Sequence, residues 1–381
     1  MGGKGIFVAS LLERNSPALS ELAELSPASF SIDGRAIGLQ HPAYFIADIA
    51  ANHDADLQRA IDLIHLAAEA GAEVAKFQHF RAETIVSDVG FRHLGGHRSH
   101  QAKWTKSVFE VYRDASVALE WTPHLKRACD DAGIAFFTSP YDLELVDAID
   151  PYVPAHKIGS GDITWIEIIE HIAAKGKPYM LSTGASDLQE VDRAVRAGLR
   201  INPQMALLQC NTNYTSDPDN FRHIHLNVLK TYARRYPDLV LGLSDHTSGH
   251  ATVLGALALG ARIIEKHFTD DTNREGPDHP FSMDPTSWQE MVARTRELEA
   301  ALGADVKRLV ANERDTVVLQ RRAIRAAVTL LEGTRLSREH LVMLRPCPID
   351  AVPPYQASRL CGKIVRNRIE AGDCIRWTNL E

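Results

Sequence analysis

From residue 44 onward, short apolar and β-branched runs alternate with stretches whose apolar residues recur at helical spacing. The runs are Tyr44–Ala50, Val74–Gln78, Ile134–Ser139, His156–Ser160, Tyr179–Thr183, Ala206–Cys210, Val240–Ser244 and Arg262–Phe268. Between the first two, Leu57, Ile61, Ile64 and Ala68 share one helix face. Ser186 with Gln189 predicts a capping box ahead of Leu188, Val191 and Val195. Asp284 predicts an N-cap, Pro285 a first helical residue, and Trp288, Met291, Val292, Thr295 and Leu302 the stripe of a closing helix. Eight strand–helix units over about 230 residues predict a (β/α)8 TIM barrel, an α/β fold of typically about 250 residues. An open doubly wound sheet is the rival. Polar residues end nearly every run, and a ring of them needs closure, which favours the barrel.

The pattern divides the chain. Residues 1–31 read as an extension, with a short helix from Ser16 to Leu25. Residues 32–302 hold the barrel and 303–320 a polar, helix-prone linker. From 321 to 381 the runs shorten to Ala323–Leu330, Leu341–Arg345, Cys361–Ile364 and Asp373–Ile375, broken by Gly, Pro and acidic turns. They predict a small β-rich module that gains from docking against a larger body. One connection, residues 79–121, is long and carries Arg92, His93, His97, Arg98, His100, Lys103 and Lys106. Following the second strand, it is expected to overhang the rim.

Composition narrows the class. A net charge of −7 argues against a nucleic-acid surface, though not against a local basic pocket. No apolar run reaches membrane-spanning length. The five cysteines form no C-x-x-C pair and fit reduced thiols in the cytoplasm.

Candidate chemistry gathers at the C-terminal ends of the runs, where a barrel builds its active site. His246 and His267 end the last two runs. Two imidazoles on one rim, with Asp245, Glu265 and Asp278 near in sequence, have the chemistry to hold a divalent metal. Other ends offer Asp48, Lys76 and Gln78, Thr138, Lys157 and Ser160, Ser182, Tyr214 and Ser244. Lysines supply charge, hydroxyls directed donors, and glycines room for backbone N–H groups, a combination suited to phosphate. Residue chemistry alone reaches phosphoryl-group or phosphate-releasing carbon chemistry on an anionic substrate and goes no further.

Seven ordered stretches resemble the sialic acid synthase family. They are F-I-A-D-I-A-A-N-H (45–53), A-K-F-Q (75–78), K-I-G-S-G-D (157–162), K-P-Y-M-L-S-T-G (177–184), G-L-S-D-H-T (242–247), E-K-H-F-T (265–269) and G-P-D-H (276–279). R-R-A-I-R-A-A (321–327) and L-R-P (344–346) resemble the family's antifreeze-like, or SAF, domain. The resemblance implies condensation of phosphoenolpyruvate with an N-acylated mannosamine-type sugar, giving a nine-carbon 2-keto acid and phosphate. It implies a divalent metal on His246 and His267, usually manganese, with magnesium or cobalt as substitutes. It assigns Lys76, Lys157, Ser160, Ser182 and Ser244 to phosphoenolpyruvate, and Gln78, Thr138, Tyr214, Glu265 and Asp278 to the sugar side. Asp48, Lys76, Glu265, Asp278 and Arg345 form the implied catalytic set. Arg345 matches an arginine that one subunit's SAF domain inserts into the other's barrel, which implies a domain-swapped homodimer.

Three features depart from that pattern. Asp48 stands where the family usually has Glu, Thr212 and Thr215 where Asn and Pro are common, and the 79–121 connection lacks a clear match to the family's sugar-contact asparagine. Shortening an acid by one methylene retracts its carboxylate by about 1 Å, a displacement that can be costly. A sugar- or anion-binding protein on the same scaffold is the alternative reading, and a different metal-dependent barrel enzyme a further one.

Overall fold

A computed structural model describes residues 28–94, 101 and 104–381. It contains two compact units, residues 1–303 and 304–381. The expected Ser16–Leu25 helix, and His97, Arg98, His100 and Lys103, lie outside the described residues.

The first unit opens with a hairpin, β1 (Ser29–Ile32) and β2 (Arg35–Gly38), paired antiparallel. Asp33 and Gly34 make its two-residue turn with φ of 50° and 78°, the left-handed pair that matches strand twist. The eight predicted strands follow: β3 (Tyr44–Asp48), β4 (Val74–His79), β5 (Ala135–Pro140), β6 (His156–Ile158), β7 (Tyr179–Ser182), β8 (Met205–Cys210), β9 (Val240–Asp245) and β10 (Ile263–His267). They form one parallel sheet in the order β5-β4-β3-β10-β9-β8-β7-β6. β5 and β6, its two ends, lie beside each other, so the sheet curls into the predicted barrel with the helices outside.

The barrel buries two apolar layers. The outer packs Phe45, Phe77, Phe136, Leu181, Leu207, Leu243 and Ile264 against the helices. The inner one fills the N-terminal half of the barrel with Tyr44, Ile46, Val74, Phe137, Met180, Leu208, Val240 and Ile263. Ile32 and Ile37 of the hairpin join that inner layer and are almost wholly buried, so the hairpin floors the barrel. Residues 29–31, placed in the extension by their pattern, belong to this floor.

Several local expectations need correction. The capping box ahead of helix Leu188–Leu199 is Asp187 with Glu190, one residue later than expected. Ser186 instead donates to the Thr183 carbonyl. The 79–121 connection folds into helices Ala82–Ile85, Asp88–His93 and Val108–Ala115. Asp284 caps helix Pro285–Leu302 as expected; Trp288, Met291 and Thr295 are buried, while Leu302 is exposed.

In the second unit, residues Arg314–Gln320 are helical, and β11 (Ala323–Ala326) pairs antiparallel with β12 (Leu341–Leu344). Cys361–Ile364 and Asp373–Ile375 contribute isolated bridges rather than strands. Ile324, Leu330, Leu336, Leu341, Val352, Leu360, Val365, Ile369 and Ile375 form its core.

Candidate active site

Side chains alternate along a strand, so one inward residue fixes the rest. Ile46, Val74, Phe137, Met180, Leu208, Val240 and Ile263 face the barrel interior near its floor. Counting up in twos brings Asp48, Lys76 and Gln78, Ser139, Ser182, Cys210, Ser244 and His246, and Glu265 and His267 to the inner face of the opposite rim. Lys157 follows inward Ala155 by the same count.

Charge alternates across this inner face. Lys76 Nζ donates to Asp48 Oδ2 and lies 3.9 Å from Glu265 Oε2. Lys157 Nζ is 3.2 Å from Glu265 Oε1, which also accepts from Ser244 Oγ at 2.9 Å. All four charged groups are buried. Burial works against the Glu265 charge, but Lys157, Lys76 and the Ser244 hydrogen bond outweigh it and hold the carboxyl down at about 2. For Lys76, burial is likewise overcome by Asp48 and Glu265, which hold its pKa above the ordinary lysine value. Opposite charges set side by side offset part of the cost of burying them, though for Asp48 burial still outweighs the neighbouring Lys76 and raises its carboxyl above the usual value. Ser139 Oγ, Ser182 Oγ and Glu265 Oε2 lack hydrogen-bond partners among the described residues. Ser160 Oγ accepts from the Gly184 N–H at 3.0 Å, and a Cβ on Gly184 would fall 2.4 Å from Thr212 Cγ2. Only glycine lets that backbone close on the serine.

The imidazoles of His246 and His267 lie with ring centroids 5.3 Å apart, backed by Tyr214 and Phe281. His246 Nδ1 lies 2.8 Å from the Asn211 carbonyl, so it carries the proton there and Nε2 keeps a free lone pair. His267 Nδ1 is buried without a hydrogen-bond partner among the described residues, 3.9 Å from Asp278 Oδ2, and its Nε2 lies 3.7 Å from Asp48 Oδ2. Burial first, then His246's closeness to His267 and His267's to Lys76, push both rings down to about 3, so both are neutral. Neutral imidazoles with bare lone pairs are the form that binds a divalent metal. Among the described residues no three His, Cys, Asp or Glu side chains gather into a cage, so the residues present offer a two-imidazole site with coordination positions to spare.

The other expected residues divide. Asp48, despite its shortness, reaches Lys76 and accepts from Gln78 Nε2 at 3.3 Å. Asp278 accepts the Ala51 N–H at 3.1 Å, and burial raises its carboxyl to about 6. Thr138 does not face the site. It points into the helix layer, where its Oγ1 lies 2.7 Å from His79 Nδ1, and His79 Nε2 lies 2.9 Å from Thr122 Oγ1. Its neighbour Ser139 takes the inward place, buried and without a hydrogen-bond partner among the described residues. Asp245 also points outward, paired with buried Lys266 and accepting from Thr252 at 2.8 Å, so it is no metal ligand. Arg345 belongs to the second unit, where it is exposed and Nε donates to the Gln320 carbonyl at 2.6 Å. Ser139 and Cys210 are inner-face residues that the rim motifs did not single out; strand parity counted from Phe137 and Leu208 finds both.

Fold and site define a barrel protein whose mouth sets an anion cradle beside two bare imidazoles. A model of the NeuB family matches residues 63–307, and one of the SAF domain residues 321–381. An N,N'-diacetyllegionaminic acid synthase from Legionella pneumophila is 32% identical over 90% of this chain and 96% of its own length. The human N-acetylneuraminate-9-phosphate synthase is 32% identical over 90% of this chain and 94% of its own. The crystal structure of an N-acetylneuraminic acid synthetase from Leptospira borgpetersenii, in complex with citrate, superposes with a TM-score of 0.66 at 27% identity. It covers 76% of this chain and 95% of that one. The chain belongs to the NeuB family, with a SAF domain at its C-terminal end.

Proposed function

We propose that the protein condenses phosphoenolpyruvate with an N-acylated mannosamine-type sugar, releasing phosphate and a nine-carbon 2-keto acid. The observation that carries this reading is the pairing on one inner face of Lys76, Lys157 and the serine hydroxyls with the His246–His267 pair. The names of the relatives, synthases of legionaminic acid and of N-acetylneuraminate 9-phosphate, support it.

In this reading Lys76, Lys157, Ser139, Ser160, Ser182 and Ser244 hold the phosphate and carboxylate of phosphoenolpyruvate. Asp48 and Glu265 keep the lysines charged. A divalent metal, manganese by family resemblance, would sit on His246 and His267 and polarise the sugar aldehyde. Gln78, Tyr214 and Asp278 border the aldehyde side and orient the acceptor. Carbon 3 of phosphoenolpyruvate bonds to the aldehyde carbon, whose oxygen gains a proton, and carbon 2 becomes an oxocarbenium. Water adds there and gives a proton to Glu265 Oε2, a buried carboxylate oxygen without a hydrogen-bond partner among the described residues. The bond from carbon 2 to the phosphate oxygen then breaks; phosphate keeps the electron pair, and loss of the remaining hydroxyl proton leaves the ketone. Arg345 of the partner subunit completes the acceptor side in a domain-swapped homodimer.

The test incubates the protein with phosphoenolpyruvate, Mn2+ and a panel of N-acylated aldoses, measuring phosphate release and product mass. Release that needs both substrates supports the reading; a protein that binds phosphoenolpyruvate by calorimetry but releases no phosphate with any sugar is a binding protein instead.

A further inference from the structure

β9 and β10 pair in parallel from Gly242 with Ile263 to Asp245 with Lys266, where the ladder between them ends. His246 and His267 are the next residue on each chain. Each is tied on its far side to a different neighbour. His267 is in register with Asp48 of β3, and His246 Nδ1 lies 2.8 Å from the Asn211 carbonyl. A link between the two lies behind the rim. Strand parity turns Asp245 and Lys266 outward, where both are buried. Lys266 Nζ donates to Asp245 Oδ2 and to the Thr247 carbonyl. Thr247 Oγ1 donates to the same carboxylate oxygen at 2.7 Å. Thr252 Oγ1, from the first turn of helix Ala251–Ala258, donates to it at 2.8 Å. One oxygen thus gathers β9, β10 and the helix that follows β9.

A buried ion pair is a poor device for stability, because apolar side chains of similar volume often serve as well or better. What directed donors on one oxygen do supply is fixed relative position. We propose that Asp245 and Lys266 are positioning residues that set the spacing of the His246 and His267 imidazoles, and with it the affinity for a divalent cation. This rests on the reading of both imidazoles as metal ligands. A cation shared by two rings tolerates an error of only about 0.2 Å in ligand distance, and each ring is one residue beyond the knot. Ser244 and Glu265 sit one pair earlier, inside the ladder, so the phosphoenolpyruvate side is held without it.

The experiment titrates the metal-free, full-length chain with Mn2+ and, separately, with phosphoenolpyruvate by calorimetry. It compares wild type, the double variant Asp245→Asn with Lys266→Met, Thr252→Val, and His267→Ala as the control for the metal site. The double variant removes both charges together, so neither is left buried alone. It is expected to weaken Mn2+ about tenfold or more, and Thr252→Val about threefold, with phosphoenolpyruvate affinity unchanged in both. Wild-type Mn2+ affinity in a folded double variant overturns the inference. Equal weakening of Mn2+ and phosphoenolpyruvate also overturns it, because that reports a general loosening of the rim. If the double variant does not fold, Thr252→Val decides: weakened Mn2+ alone supports the inference, and wild-type affinity overturns it. A wild type that takes up no Mn2+, or His267→Ala that takes it up as wild type does, removes the metal reading and this inference together.

Discussion

A single residue step separates Thr138 from Ser139, and it exchanges a place in the helix layer for one on the barrel's inner face. Thr138 completes the buried Thr138–His79–Thr122 chain. Thr138→Val leaves a His79 nitrogen buried without a partner, and is expected to lower unfolding stability by about 1–3 kcal/mol with the affinity for phosphoenolpyruvate unchanged. Ser139→Ala is expected to do the reverse, weakening phosphoenolpyruvate about tenfold, or about 1.4 kcal/mol, at constant stability. Calorimetric titration and urea denaturation on both variants check the pair. At the imidazoles, His267→Ala is expected to abolish metal binding by calorimetry and lower kcat/KM about 100-fold, or about 2.7 kcal/mol. Its circular dichroism is expected to match wild type.

The loops that follow β3 and β10 are fastened to each other. Arg59 donates to both Asp270 oxygens, at 2.7 and 2.8 Å, and its Nε to the Asn52 carbonyl at 2.8 Å. Asn52 Nδ2 donates to the Phe268 carbonyl and to Ser282 Oγ, both at 2.9 Å. His279, wholly buried, bridges Thr269 and Asp54. This stitching holds Ala50, Asp54 and Ala55 at φ of 44°, 51° and 59°, a region side chains other than glycine seldom occupy. The Arg59 hydrogen bonds lower the Asp270 carboxyl to about 2. A carboxyl lowered on folding stabilises the fold above its unfolded pKa, near 4, and loses that contribution as pH falls from about 4 to 2. The pair is partly exposed, so solvent screening keeps the contribution to about 1 kcal/mol. Arg59→Ala is expected to remove it: the gap between the unfolding midpoints of variant and wild type should narrow from pH 7 to pH 2, leaving the part due to the Asn52 hydrogen bond.

At the scale of the whole chain, the barrel and the SAF module were legible because their signals repeat or recur as fixed motifs. Eight apolar runs with helical spacers between them leave few architectures, and each run ended within two residues of its strand. What faces the site was less legible. Thr138 and Ser139 are alike in chemistry, and Asp245 neighbours His246, so only the inward parity set by Phe137 and Val240 separates them. The hairpin floor was written in Asp33-Gly34 between Ile32 and Ile37, a turn signal that lies outside the repeat. Arg345 lies in the second unit, and the role proposed for it is in a partner's barrel, which one chain's strand parity does not report. Arg345→Ala is expected to raise the KM for the sugar about tenfold, or about 1.4 kcal/mol, while phosphoenolpyruvate affinity by calorimetry stays constant; light scattering is expected to report a dimer for both proteins.

The floor built by Ile32 and Ile37 has a kinetic outcome. With that end of the barrel sealed by aliphatic side chains, everything must come and go through one doorway. Under the proposed condensation, an inorganic ion held against Lys76 and Lys157 would lie behind the bulkier product, so the sugar acid is expected to depart first and the small ion last, an order that product-inhibition kinetics checks.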